Sequence, residues 1–125
     1  MQIAKEQISE FSIIHYDILD STNSEAKRLI DDKIAAGSVI ITDIQLNGRG
    51  RNGKEWVSDE GNLFCSIIIS PKKSPELYSF VAVAALAESL KNLGLKPQIK
   101  WPNDIKINDK KISGVLLEKY KDMLV

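Results

Sequence analysis

Cysteine and histidine are almost absent from this sequence, which contains one residue of each, Cys65 and His15. A single cysteine cannot form an intrachain disulfide, and a zinc site built from cysteine and histidine needs several ligands at defined spacings. The sequence therefore excludes a disulfide scaffold and a structural zinc domain. A low cysteine content is typical of proteins in a reducing compartment, so we expect a cytoplasmic location.

Long apolar runs and an excess of charge of either sign are also missing. The sequence has 17 basic and 17 acidic residues, so no net charge draws it to nucleic acid or anionic lipid. No segment approaches the roughly 18 uninterrupted apolar residues of a membrane span. Charged residues also interrupt the N-terminus, where a signal peptide needs an apolar stretch. We therefore expect no membrane and no nucleic-acid partner.

The composition that remains is typical of a globular domain. The 125 residues include 43% hydrophobic and 27% charged side chains, close to the ordinary usage of folded proteins. A chain of this length usually forms one domain, so we expect a single compact core.

Segments typical of strands and helices alternate along the first half of the chain. Phe11–Leu19 is rich in β-branched and aromatic residues and predicts a strand. An amphipathic helix is predicted to follow and to end before Gly37. Its N-terminus has three candidate capping residues: Ser21, Thr22 and Asn23. Residues 38–45 predict a second strand that is covered on both faces. Residues 47–62, with four glycines and several charges, predict a long loop.

The second half continues the alternation. Residues 63–70 predict a strand, and Ser74-Pro75 is typical of a helix start. The middle of that helix, FVAVAALA, is apolar all round and predicts burial. Three further strands are predicted, the last two joined by a turn at Asn108-Asp109, over residues 97–101, 105–107 and 111–118. This order of elements favours one mixed α/β layered structure.

The loop that contains Gly48, Gly50 and Gly53 fits two general nucleotide-binding patterns, and both fail on their context. A P-loop needs serine or threonine after its lysine, where this chain has Glu55. A dinucleotide fingerprint must open a helix, whereas the residues that follow lead through a second turn into a strand. The loop still carries three cations suited to gripping a triphosphate, Arg49, Arg51 and Lys54. The alternative interpretation is a solvated basic turn.

Four separated segments, in this order, resemble the biotin–protein ligase family. They are Ser21-Thr22-Asn23; Gln45-x-x-Gly48-Arg49-Gly50-Arg51-x-Gly53 with Trp56; Lys100-Trp101-Pro102-Asn103-Asp104; and Lys111-x-x-Gly114-Val115-Leu116-Leu117-Glu118. The resemblance extends over residues 11–118. It implies an α/β (α+β) fold with a mixed sheet and packed helices, like class II aminoacyl-tRNA synthetases and biotin synthetases. It also implies that residues 1–125 are an incomplete catalytic domain, without an N-terminal DNA-binding domain or a C-terminal β-barrel.

The resemblance further implies a two-step reaction that uses ATP and Mg²⁺. Biotin and ATP would form biotinyl-5'-AMP, and a lysine of the biotin carboxyl carrier domain of acetyl-CoA carboxylase would then take the biotin. By similarity, Arg49 and Lys111 would be catalytic, meeting negative charge during the reaction. The ligand-binding set implied by the same similarity is Ser21, Thr22, Asn23, Gln45, Gly48, Arg49, Gly50, Arg51, Lys111, Gly114 and Leu116. No residue is assigned as a direct metal ligand.

Several of these residues have a second interpretation that the sequence leaves open. Lys111 can be one more exposed lysine. Asp104 can be a turn residue, or an acid that orients Lys111 or holds magnesium. Trp56 and Trp101 are expected to be packing residues, and we assign no chemical role to His15 or Cys65.

Two other functions compete with the ligase interpretation: a non-catalytic biotin-binding module and an enzyme similar to lipoate–protein ligase. Family members continue well beyond the segment that holds Lys111, so we expect an open strand edge at residues 111–118. That edge is expected to recruit a second copy of the chain or a second polypeptide that supplies the remainder. These 125 residues alone are then expected to bind biotin weakly and to transfer little of it. A repressor function is not expected.

Overall fold

The computed structural model describes residues 1–125 as ten strands, two α-helices and one short 3-10 turn. The strands are β1 (Gln2–Ile8), β2 (Phe11–Leu19), β3 (Ser38–Arg49), β4 (Glu55–Ser58), β5 (Phe64–Ile67), β6 (Gln98–Lys100), β7 (Asp104–Ile107), β8 (Lys110–Gly114), β9 (Lys119–Tyr120) and β10 (Met123–Leu124). The helices are α1 (Thr22–Asp31) and α2 (Pro75–Asn92), and the 3-10 turn is Arg51–Gly53. Neither α-helix is both long enough and apolar enough to cross a membrane.

The chain forms two compact units. The first unit contains Met1–Pro71 and Glu118–Val125, and the second contains Lys72–Leu117. Each unit has its own cluster of buried apolar side chains. The expectation of a single core is therefore wrong, because the contacts within the chain group around two centres.

A five-stranded mixed sheet forms the first unit, and β3 is its central strand. One edge of β3 pairs with β2 in parallel, as a strand–helix–strand crossover through α1 requires. Its other edge pairs antiparallel with β5 at its start and with β4 at its end. Strand β1 then pairs antiparallel with β2. Since β3 is covered along both edges, residues placed on it are held by several elements at once.

The core of the first unit lies between this sheet and α1. Ile40 and Ile68 are fully buried, and Ala26 and Ile30 of α1 pack in the same cluster. Ala26 and Ile30 lie on one face of the helix because they are four residues apart. Val125 completes the cluster at the end of the β9–β10 hairpin. The predicted helical stripe is confirmed.

An antiparallel sheet in the order β6-β7-β8 and helix α2 form the second unit. Ile105 of β7 is fully buried and packs with Val83 and Ala87 of α2. The predicted turn between β7 and β8 is confirmed, since Asn108 and Asp109 both adopt positive φ angles, 50° and 61°. Such a pair of left-handed residues is what a two-residue hairpin turn requires.

Burial of α2 was predicted from its apolar sequence, and this prediction is wrong. Only Val83 and Ala87 of the helix are buried, and Val81 keeps 61% of its surface exposed. The physical reason is that, in the second unit, only a small sheet packs against the helix, and it covers one side. A helix that is apolar all round then keeps apolar side chains on the other sides.

The prediction of a long loop over residues 47–62 is also wrong. Strand β3 continues to Arg49, and β4 turns back along it, pairing Trp56 with Gly48 and Glu55 with Arg49. A short 3-10 turn connects the two strands. Glycines and charges weaken a strand pattern in the sequence, but backbone pairing with a neighbouring strand does not depend on side-chain periodicity.

Two other strand predictions differ from the structure. The strand expected over residues 111–118 is Lys110–Gly114, and the residues after it leave the sheet. Strand β1 was not predicted because all of its side chains are exposed, so no alternation of buried and exposed positions marks it.

Burial predicts how the first unit responds to truncation of its side chains. Ile40 is fully buried on β3, whereas Leu46 on the same strand is 75% exposed. We expect Ile40→Ala to lower the free energy of unfolding by about 2–5 kcal/mol, because it removes packed methyl groups and leaves a cavity. Leu46→Ala is the matched control and should change it by less than about 0.5 kcal/mol. Urea unfolding of both variants measures this, and equal losses would contradict the assigned core.

Candidate functional site

The N-terminus of α1 is the first part of the candidate site. Ser21 adopts an extended conformation and caps the helix, its hydroxyl oxygen accepting from the Ser24 backbone N–H at 3.0 Å. The Ser21 hydroxyl donates in turn to Ser24 Oγ at 2.9 Å. Of the three capping candidates, Ser21 is therefore the cap. Both Ser21 and Thr22 are buried, so the groups at this helix end have fixed positions.

A hydrogen-bond network connects this helix end to three strands of the sheet. Gln45 Oε1 accepts from the backbone N–H of Thr22 at 2.9 Å and from its hydroxyl at 3.3 Å. Gln45 Nε2 donates to Ser58 Oγ at 2.9 Å. The Ser66 hydroxyl donates to Thr22 Oγ1 at 2.7 Å and also contacts Asn23 Oδ1. No buried side-chain nitrogen or oxygen lacks a partner, so the network is complete within the protein.

Arg49 lies at the end of β3 and reaches the same helix end. Its Nη1 donates to Ser24 Oγ at 2.8 Å and to Ser21 Oγ at 3.2 Å. Its Nη2 donates to Glu118 Oε1 at 2.9 Å. Both terminal nitrogens of the guanidinium are therefore held by groups of the first unit.

Glu118 collects three donors on its two carboxylate oxygens. Oε1 accepts from Arg49 and from Asn23 Nδ2, and Oε2 accepts from Lys27 Nζ at 3.0 Å. Partial burial alone would raise the pKa of Glu118, but the hydrogen bonds from Asn23, Lys27 and Arg49 outweigh it. They lower the pKa to about 2 from an ordinary value of 4.5, so the group is ionised at neutral pH.

The charges at this site favour an anionic ligand. Arg49 and Lys27 are two cations, and Glu118 is one carboxylate, so the three together carry one net positive charge. The N-terminal end of α1 adds the positive end of a helix dipole. Hydroxyl and amide groups beside these charges can donate and accept hydrogen bonds. The arrangement can therefore hold a ligand that combines neutral polar groups with a carboxylate or a phosphate.

The predicted site glycines differ in what surrounds them. A Cβ atom on Gly48 would lie 2.5 Å from the Trp56 carbonyl oxygen and 2.9 Å from Gln45 Nε2. On Gly50 the nearest atom would be 3.6 Å away, which is ordinary contact. Gly48 is therefore required where β4 crosses β3 beside Gln45. Arg51 begins the 3-10 turn that follows Gly50.

The second unit holds the remaining predicted site residues. Lys111 Nζ of β8 forms an ion pair with Asp104 Oδ1 of β7 at 3.1 Å. Asp104 is therefore a strand residue with a charged partner, and its role toward Lys111 or magnesium stays a prediction. Gly114 pairs with Asp104 across the two strands, and Leu116 follows β8 as a half-buried residue.

The segment before β7 is tied to the residues after β8 within the second unit. Asn103 Nδ2 donates to the Val115 carbonyl at 3.0 Å, and the Asn103 carbonyl accepts from the Val115 N–H at 2.9 Å. Trp101 is stacked on Phe80 of α2 with ring centroids 4.6 Å apart. The burial expected of a packing residue is not found for Trp101, because this one ring contact leaves 69% of its surface exposed.

Several residues of the site were missed by sequence reasoning: Ser24, Lys27, Ser58, Ser66 and Glu118. Glu118 belongs to a segment that carried the family resemblance, but it received no role. The available signal was a carboxylate directly after the apolar run at residues 115–117. The sequence contains no such signal for Ser58 and Ser66. Serine is common in strands, and the site residues that these two serines contact are distant in the sequence.

The side chains of this protein offer few ligands for a metal ion. No group of three or more His, Cys, Asp or Glu side chains is placed to hold a metal ion. His15 pairs with Asp43 at 2.8 Å on neighbouring strands. A magnesium ion bound here would therefore take most of its ligands from other groups, such as water or phosphate oxygens.

Comparison with known proteins gives consistent matches. A sequence model of the biotin/lipoate A/B protein ligase family matches residues 16–125. The chain is 37% identical over 119 residues to the bifunctional ligase/repressor BirA of Bacillus subtilis, covering 91% of this chain and 37% of that protein. It is 38% identical over 106 residues to the biotin–[acetyl-CoA-carboxylase] ligase of Paracoccus denitrificans, covering 79% of this chain and 43% of that protein.

Solved structures match at the level of the fold as well. Biotin protein ligase from Aquifex aeolicus, in complex with biotin and ATP, matches with a TM-score of 0.82 and 34% identity, over 90% of this chain and 48% of that one. A biotin acetyl coenzyme A carboxylase synthetase from Helicobacter pylori, with bound biotinylated ATP, matches with a TM-score of 0.76 and 30% identity, over 90% and 56%. The predicted mixed α/β fold is confirmed. The chain spans about half or less of the length of these relatives.

The space around the two glycines predicts a difference between matched variants. We expect Gly48→Ala to lower the free energy of unfolding by about 1–3 kcal/mol, because the new methyl group would displace the backbone of β4. Gly50→Ala should change it by less than about 0.5 kcal/mol, since a Cβ on Gly50 would make only ordinary contacts and its φ angle is −99°. Chemical denaturation distinguishes the two, and equal effects would contradict the close approach at Gly48.

The lowered pKa of Glu118 predicts a dependence of stability on acid. A carboxylate whose pKa is lowered in the folded state stabilises the protein above the unfolded-state pKa, and this contribution is lost as the pH falls through the folded-state pKa. We expect the difference in free energy of unfolding between the parent and Glu118→Gln to be constant above about pH 5 and to shrink as pH falls from 4.5 to about 2. Comparing the two chains cancels the similar effect of Asp20, whose pKa is also about 2. A difference that did not vary with pH would contradict the assigned hydrogen bonds.

Proposed function

The chain belongs to the biotin/lipoate A/B protein ligase family, and on that premise we propose that it is the biotin-binding part of a biotin–protein ligase. The enzyme would form biotinyl-5'-AMP from biotin and ATP and transfer biotin to a lysine of a biotin carboxyl carrier domain. The observation that carries this proposal is the set of polar groups gathered at the N-terminus of α1. It contains Ser21, Thr22, Asn23, Gln45 and Arg49.

The neutral part of this set suits the ureido group of biotin. A ureido group has two N–H donors and one carbonyl acceptor, so its pocket must supply both acceptors and donors. The hydroxyls of Ser21 and Thr22 and the amides of Asn23 and Gln45 provide both kinds of group. Because Gln45 and Ser66 already hold Thr22 in place, little ordering would be needed when biotin binds.

The charged part suits the carboxylate of biotin and the phosphate it attacks. In the first step a carboxylate oxygen would form a bond to the α-phosphorus of ATP, and pyrophosphate would leave. Negative charge would gather on the oxygens around that phosphorus. Arg49 can donate two parallel hydrogen bonds to such oxygens. Arg51 follows two residues later, at the start of the 3-10 turn, and is proposed to contact the same anionic groups of the ligand.

Lys111 is proposed as the second cationic donor to the carboxylate and α-phosphate. Its pairing with Asp104 across β7 and β8 limits the directions its ammonium group can take. Gly114 and Leu116 would line the ligand close to it. Magnesium would be bound mainly through ATP phosphates and would neutralise the departing pyrophosphate, with Asp104 as the available carboxylate.

In the second step the amine of the carrier lysine would attack the acyl carbon of biotinyl-5'-AMP, and AMP would leave. A new amide bond replaces the mixed anhydride, and the ammonium proton is lost to solvent or to a nearby base. The carrier partner is part of this proposal, since the chain spans about half or less of the length of these relatives.

Ligand titration distinguishes this function from its competitors. Calorimetry of the chain with biotin, with lipoate and with a non-hydrolysable biotinyl-5'-AMP analogue should give binding of biotin and tighter binding of the analogue. Preferential lipoate binding would favour the lipoate branch of the family. Biotin binding without pyrophosphate release on addition of ATP and magnesium would favour a non-catalytic module, and failure to bind any of the three would contradict the proposal.

Removing either proposed cationic donor should affect chemistry far more than folding. We expect Arg49→Ala and Lys111→Ala each to lower the rate of adenylate formation by about 10²–10³-fold, as loss of one donor to developing charge does elsewhere. Pyrophosphate release measures this in the active enzyme that contains the chain. Lys110→Ala and Arg28→Ala remove neighbouring cations without a proposed role and should keep the parent rate. Parent rates in Arg49→Ala or Lys111→Ala would refute the role of that residue.

A further inference from the structure

The carboxylate of Glu118 bonds to three side chains of the site: Asn23, Lys27 and Arg49. We propose that Glu118 is a positioning residue, which fixes Arg49 and Asn23 in the geometry that receives the ligand. This inference rests on the proposed function, because it concerns the same site. Glu118 itself is not proposed to touch the ligand.

The division of donors between the two oxygens is the first argument. Oε1 bridges Arg49 at the end of β3 and Asn23 in the first turn of α1, both at 2.9 Å. Asn23 and Lys27 are four residues apart on the helix, so both side chains lie on one face and reach the same carboxylate. One anion therefore connects a strand end with two successive turns of a helix.

The state of Arg49 is the second argument. An arginine at the end of a strand has several rotatable bonds, and ordering it on ligand binding costs free energy. Here Ser21 and Ser24 hold one terminal nitrogen and Glu118 holds the other. The guanidinium plane is set before any ligand arrives. Without the Glu118 carboxylate, Arg49 and Lys27 would also repel each other across the gap that it now fills.

The support of Glu118 itself is the third argument. Its backbone N–H donates to the Val125 carbonyl at 3.0 Å, and its carbonyl accepts from the Val125 N–H at 2.9 Å. These bonds close the β9–β10 hairpin directly at Glu118, and Val125 is buried in the core. The carboxylate is therefore fixed from the core side as well as by its three donors.

The same hairpin provides a matched control. Asp31, at the end of α1, accepts from the Tyr120 hydroxyl at 3.0 Å and pairs with Lys121. Glu118 and Asp31 thus both connect the hairpin to α1. Of the two carboxylates, Glu118 is the one that bonds to Arg49 and Asn23. A variant of Asp31 weakens the hairpin attachment and leaves those two residues in place.

The experiment measures affinity for a non-hydrolysable biotinyl-5'-AMP analogue by calorimetry, for the parent chain, Glu118→Gln and Asp31→Asn. We expect Glu118→Gln to weaken binding by about tenfold or more, since it removes the charge that holds Arg49. Asp31→Asn should stay within about twofold of the parent, because an exposed ion pair contributes little. Unchanged affinity in Glu118→Gln, or an equal loss in Asp31→Asn, would overturn the inference.

A double variant separates positioning of Arg49 from a general loss of structure. Arg49→Ala should weaken binding strongly in the parent and much less in the Glu118→Gln background, because the guanidinium is already misplaced there. Additive losses would overturn the inference. If Glu118→Gln does not fold, Glu118→Asp supplies the same comparison, since it keeps the charge but withdraws the carboxylate by one methylene group. Failure of the parent chain to bind the analogue would instead contradict the proposed function.

Discussion

Pairing of β3 along both of its edges is the constraint on which the first unit depends. The strand needs partners on both sides because its interior positions, such as Ile40 and Thr42, are buried and its backbone groups cannot bond to water. β2 pairs with one edge, and β4 and β5 pair with the other. Gln45, Gly48 and Arg49 stand near the end of this strand. Their positions are therefore consequences of the sheet.

Satisfaction of buried polar groups then determines the arrangement around the start of α1. Thr22, Ser66 and Gln45 cannot lose their partners without leaving polar atoms buried and unpaired, so each fixes the next. Glu118 plays the corresponding part for charge, since it is the group that allows Arg49 and Lys27 to lie close together. A buried polar network of this kind is unfavourable when some of its groups lack hydrogen-bond partners, and it is rigid when every group has one. Rigidity is what a reaction with developing negative charge requires of its donors.

The second unit follows a different balance between burial and exposure. Ile105, Val83 and Ala87 form a small core, while α2 keeps Leu77 and Val81 in contact with solvent. Asp104 lies opposite Gly114 and Lys111 lies opposite Lys106, so the Lys111 side chain reaches Asp104 diagonally across β7 and β8. The turn at Asn108 and Asp109 sets the register of the two strands on which this ion pair depends. A short, well-defined turn thus fixes two charged side chains that the reaction is proposed to use.

The sequence by itself determined the features that depend on local pattern. The bounds of Phe11–Leu19, the stripe on α1 and the turn at Asn108-Asp109 follow from periodicity and from backbone preferences of single residues. The sequence also narrowed the cap of α1 to three residues, of which the structure selects Ser21. The motifs that indicate the family are local in the same sense. Tertiary structure alone decided that residues 47–62 contain paired strands, that the chain has two cores and that α2 is largely exposed. It also decided the contacts of Glu118, which meets Asn23 from 95 residues away. A contact at that distance leaves no periodic trace in the sequence, because it depends on where the whole sheet and the hairpin place the two side chains.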